Sequence, residues 1–110
     1  MTLLEKQNIF ATNLAKFITY MQSRGYGISI REVERTDYQH AENLRTGKSK
    51  AKRSKHLDSL AFDCYLTFQG KLLTAKESYR TAAEYWESLN EWNKAGYSWG
   101  WDWYHFEFSL

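Results

Sequence analysis

At 110 residues, with 43% apolar and 25% charged side chains, the chain has the composition of one globular domain and not of a disordered segment. Its net charge of +2 is too small to argue on its own for a nucleic-acid partner, and a single cysteine, Cys64, excludes an intrachain disulfide. No apolar run reaches the roughly 18 residues that a membrane-spanning helix needs.

Thr2 to Met21 reads as a helix. Leu3, Phe10, Leu14, Phe17, Ile18 and Met21 recur near helical spacing, and Thr2 with Glu5 has the form of a capping box. The same N-terminus, "MTLLEKQNIF", lacks a basic region followed by a long apolar one, which predicts no signal peptide. Gly25 and Gly27 in "RGYG" stop the helix. Ile28 to Glu34 alternates and is β-branched, so it reads as a strand, and Asp37 can cap a short helix through Leu44 that carries His40.

From Arg45 to Lys55 the chain bears Arg45, Lys48, Lys50, Lys52, Arg53 and Lys55 with no acid among them. Such a segment is either a solvated loop or a surface that meets a polyanion or a carboxylate-rich substrate. "LAFDCYLTF" then reads as a buried strand, with Cys64 as a small buried hydrophobe, and "QGK" as a turn. Thr74 to Asn93 reads as a second long helix, capped by Thr74 and Glu77, with Ala75, Tyr79, Ala82, Ala83, Trp86 and Leu89 inside. "NKAGYSWG" reads as loop and "WYHFEFSL" as a final strand. Helices and strands in mixed order with short connections predict an α+β domain, a small antiparallel sheet flanked by two longer helices, spanning residues 1–110.

One residue does not suit this pattern. Asp63 lies inside an apolar strand, where a carboxylate costs several kcal/mol unless it is paired. Two of the three histidines, His56 and His105, offer the means: with Asp63 they make a two-nitrogen, one-oxygen set that can hold Zn²⁺ and leave a fourth position open. Asp102, three residues before His105, is a candidate proton acceptor for the attacking water. Alternation along a strand would aim Asp102 away from His105, so Asp102 is expected on the incoming loop or at a bend near Gly100. Glu107 shares the face of His105 and either supports it by hydrogen bonding or pairs with a lysine. Spacing alone leaves the metal site open, because two histidines and two aspartates occur in many proteins without metal.

A resemblance narrows the choice. "SKHLDSLAFD" resembles the S-x-H-x-x-G-x-A-x-D motif of zinc D-alanyl-D-alanine carboxypeptidases and of the L-alanyl-D-glutamate endopeptidases of phage endolysins, through Ser54, His56, Ala61 and Asp63, with Ser59 standing where the motif has glycine. "DWYHFE" is similar to the second motif of that family through Asp102, His105, Phe106 and Glu107, "YSWGWDW" to the Trp-Gly stretch before it, and Arg35 matches an arginine that ends a strand. The resemblance runs from about Ile28 to Phe108.

It implies the fold shared with hedgehog domains and a zinc hydrolase acting on peptide bonds of bacterial peptidoglycan stems. His56, Asp63 and His105 are then the zinc ligands, Asp102 the catalytic base, and Arg35 and Ser54 substrate-binding residues. It implies a monomer with a peptide substrate, without nucleic acid or membrane insertion. The expected absence of a signal peptide places it in a host cytoplasm until it reaches the wall, as for a phage endolysin. D-Ala-D-Ala carboxypeptidase activity, a catalytically silent wall-binding member, and a nucleic-acid-binding module using the basic loop are the alternatives. The last predicts steep salt dependence without a metal requirement.

Overall fold

The computed structural model describes residues 1–33, 45 and 58–110. Helix α1, Leu3–Ser23, begins on the expected capping box: the Thr2 hydroxyl accepts from the Glu5 backbone N–H at 3.1 Å, and the Glu5 carboxylate accepts from the Thr2 N–H at 3.3 Å. Phe10, Asn13, Phe17 and Met21 are its buried stripe. Gly25, with φ of +91°, turns the chain directly into strand β1, Tyr26–Glu32, which starts two residues earlier than its β-branched core suggests.

β1 runs antiparallel to β2, Ala61–Phe68, from Tyr26↔Phe68 to Glu32↔Asp63, with a bulge between Ile30 and Glu32. Gln69 and Gly70, both with positive φ, form the two-residue turn into β3, Lys71–Leu72. Beyond β1, the other edge of β2 is shared: β3 pairs with its end, and β5, His105–Phe108, pairs with its start. β4, Asn93–Ala95, closes the five-stranded antiparallel sheet against β5. Mixed helix and antiparallel sheet is the α+β class expected. Among the described residues no helix is long and apolar enough to cross a membrane.

The second helix is shorter than its periodicity suggests. A 3-10 turn, Lys76–Tyr79, leads into α2, Arg80–Ser88, and Thr74 provides no cap. The reason is a tertiary bond: the Tyr79 hydroxyl accepts from the Leu66 N–H at 3.0 Å and donates to the Leu73 carbonyl at 2.8 Å, tying the segment to the β2–β3 hairpin before helix can form. At the other end the Asn90 side chain accepts from the N–H groups of Trp92 and Asn93, both at 2.9 Å, and Asn93 then joins β4 opposite Phe108. "NKAGYSWG" is therefore strand followed by a one-turn helix, α3, Gly96–Trp99.

β2 is two-faced. Phe62, Cys64 and Leu66 are buried, whereas Asp63, Tyr65 and Thr67 are half-covered on the opposite side. Phe62 stacks on its cross-strand partner Phe106 with centroids 5.0 Å apart, and Phe17 of α1 and Trp86 of α2 meet both rings. Both helices thus pack on one face of the sheet. Burial, together with the neighbouring Asp63 charge, pushes the Cys64 thiol up to about 12, so it stays an unreactive hydrophobe.

The turn before β2 explains the glycine of the motif. Ser59 has φ of +54°, the left-handed region that glycine enters without strain. Ser59→Gly is expected to stabilise the protein by about 0.5 kcal/mol, the strain relieved slightly exceeding the extra freedom of the unfolded chain. A urea unfolding midpoint that falls would contradict this.

Candidate active site

The site lies on the sheet face away from α1 and α2, and the β2–β5 register builds it. Phe62↔Phe106 points into the core, so the next pair, Asp63↔His105, points out on the other side. His105 Nδ1 lies 3.2 Å from Asp63 Oδ1, and its Nε2 lies 2.9 Å from Glu107 Oε1. The His105 side chain is only 10% exposed, and the Trp99 ring leans over it with centroids 5.6 Å apart.

Burial opposes a charged ring here and lowers the His105 pKa. The hydrogen bonds to Asp63 and Glu107, with the charges of Asp63 and Asp102, outweigh it and raise the pKa from 6.5 to about 9. Folding of the metal-free chain therefore favours the imidazolium. That contribution is full below about pH 6.5 and disappears as pH rises through about 9. Urea unfolding in the presence of chelator is expected to show stability falling by a few kcal/mol between these limits; a flat profile would refute it.

Asp102 sits where strand parity requires, in the turn before β5. Its φ is +54°, and its carbonyl accepts from the His105 N–H at 3.0 Å. The turn is held from outside. A side-chain carbon at Gly96 would overlap the Asp102 carbonyl, so only glycine lets α3 approach this closely. Glu87 at the end of α2 in turn anchors α3, its carboxylate accepting from the Ala95 N–H and the Ser98 hydroxyl, each at 3.0 Å. Neither role is signalled by a motif: Gly96 reads as ordinary loop glycine and Glu87 as a surface acid. Trp99 and Trp101 are 43% and 47% exposed beside the site, as cleft walls would be.

Of the expected site residues, Asp63 and His105 meet side by side, and Asp102 stands near enough for its charge to act on His105. His56, Ser54 and Arg35 lie outside the described residues, as do His40 and the basic segment apart from Arg45. Among the described residues no three His, Cys, Asp or Glu side chains form a metal-binding group. The pair present nevertheless suits an ion that takes nitrogen and oxygen ligands. Its 3.2 Å separation is close to the edge of about 3.3 Å between ligands of a tetrahedral zinc.

No protein-family model matches the sequence, and no curated protein matches it. Among solved structures the chain is similar to the L-Ala D-Glu endopeptidase ChiX of Serratia marcescens, with a TM-score of 0.65 and 24% identity. The match covers 74% of this chain and 66% of that one, just under two thirds of its length. At that identity the likeness establishes a shared fold.

Proposed function

We propose that the protein is a zinc-dependent hydrolase that cleaves a peptide bond in the stem peptides of bacterial peptidoglycan, of the L-alanyl-D-glutamate endopeptidase type. The observation that carries this reading is the cross-strand pair Asp63–His105, set beside a left-handed turn bearing Asp102. The shared fold with an L-Ala D-Glu endopeptidase and the two sequence motifs support the same conclusion.

Asp63 and His105, with His56, would hold the ion. Bound zinc supplies Lewis acidity, which acidifies the attacking water and polarises the scissile carbonyl. Asp102 accepts the proton of that water and returns it to the leaving amine. Arg35 binds a substrate carboxylate or the developing oxyanion, for which a guanidinium fork is well shaped, and Ser54 hydrogen-bonds to the substrate. Trp99 covers one side of His105 and keeps bulk water from it.

Digestion of purified peptidoglycan with and without chelator, followed by mass spectrometry of the fragments, tests the proposal. New D-glutamate amino ends that vanish with chelator are expected. Released D-alanine would mark a carboxypeptidase instead, and intact wall under zinc-replete conditions would refute hydrolysis. Because only glycine fits against the Asp102 carbonyl, Gly96→Ala is expected to lower the rate of the same digestion by at least about tenfold, a small misplacement of a catalytic group being this costly. Wild-type turnover in that variant would show that the Asp102 turn tolerates displacement.

A further inference from the structure

We infer that Glu107 is a positioning residue that commits His105 to meet a cation through Nδ1, an inference that rests on the zinc reading above. Each ring nitrogen faces a carboxylate: Nδ1 meets Asp63 at 3.2 Å and Nε2 meets Glu107 at 2.9 Å. A neutral imidazole has one N–H donor and one acceptor nitrogen, whereas an ionised carboxylate only accepts. The nitrogen facing the closer carboxylate keeps the hydrogen, and the other offers its lone pair. Glu107 is on the far side of the ring from Asp63, so it orients His105 without competing as a ligand.

The position of Glu107 is fixed by the fold. Two residues along β5 from His105, it shares that face, and its cross-strand partners are Ala61 on β2, too small to compete for the space, and Lys94 on β4, whose ammonium donates to the Glu91 carbonyl at 3.3 Å. Its carbonyl accepts from the Trp86 indole at 3.0 Å, which ties its backbone to the core. Its side chain is 14% exposed, against 29% for Asp63, so the orienting carboxylate is the more enclosed of the two. Partners of this kind are generally worth about 10–100-fold in metal affinity.

The test uses the full chain with isotope-labelled histidine, and zinc and NMR-active cadmium as probes. In the wild type, cadmium coupling is expected at Nδ1 of His105. Glu107→Ala is expected to weaken both ions about 10–100-fold and to spread the coupling over both ring nitrogens. Glu107→Gln keeps the volume but its amide can also donate to Nε2, so it is expected to shift both readouts the same way, and it decides the matter if the alanine variant does not fold. Unchanged affinity and coupling in the variants, or wild-type coupling at Nε2, overturns the inference. If the folded wild type takes neither ion, the zinc reading fails, and the metal-free ring, read well above pH 9 where it is neutral, decides the role of Glu107. A hydrogen on Nε2 in the wild type that moves to Nδ1 in Glu107→Ala upholds it; the same tautomer in both overturns it.

Discussion

Asp102→Asn is expected to slow peptidoglycan hydrolysis by about 10²–10⁴-fold, the usual contribution of a positioned general base. Asparagine is the informative replacement because of the backbone. Asp102 has φ of +54°, a region that asparagine enters at least as readily as aspartate and alanine does not. The turn, and the bond from the His105 N–H to the residue 102 carbonyl, should therefore survive. What disappears is the proposed proton acceptor. Rates measured by release of soluble fragments, alongside zinc binding and unfolding of the same preparation, separate the two effects. A variant that binds zinc, folds normally and still turns over at the wild-type rate would remove Asp102 from the chemistry. The silent-member alternative makes a different prediction: neither protein cleaves, and both bind the wall equally.

The largest effect on stability is expected at Trp86. Its side chain is fully buried and edges onto Phe10, Phe17, Phe62 and Phe106, with centroids 5.2–6.3 Å away. Trp86→Ala removes all of these contacts and should cost about 3–5 kcal/mol. The indole also donates to the Glu107 carbonyl at 3.0 Å, so truncation strands that acceptor at a further cost of about 1–3 kcal/mol if water does not reach it. Domains of this size are stable by only about 5–15 kcal/mol, so the variant should be largely unfolded or close to it. Trp86→Phe keeps most of the ring and loses the donor, and should lie between wild type and Trp86→Ala. Urea unfolding followed by circular dichroism gives the ordering. A cost below about 1 kcal/mol for Trp86→Ala would mean that the aromatic cluster is not the core that holds the two helices to the sheet.

Local signals in the sequence were legible and distant ones were not. Thr2 and Glu5 cap α1 because both partners lie within one turn, and the Gln69–Gly70 turn needs only its own φ angles. Alternation along β2 separates Asp63 from Phe62 and Cys64, and the same parity puts Asp102 off the strand, in the turn before β5. The start of α2 is not legible in the sequence because what delays it, the Tyr79 hydroxyl bridging Leu66 and Leu73, depends on a hairpin six or more residues away. β4 reads as loop because its three residues become a strand only through their pairing with Phe106–Phe108. Within the site, Asp63, His105 and Glu107 could be found from motif and spacing. Gly96 and Glu87, which secure the Asp102 turn, act through contacts that no spacing reveals.

The β2–β5 ladder ties the formation of the proposed site to correct folding. Phe62↔Phe106 and Asp63↔His105 are consecutive rungs, so sliding one strand by a single position would push the imidazole into the aromatic interior and leave a phenyl ring in water. Such a mispaired chain would lose its core and the Asp63–His105 pair together, so the packing that stabilises the fold also selects the register that builds the site.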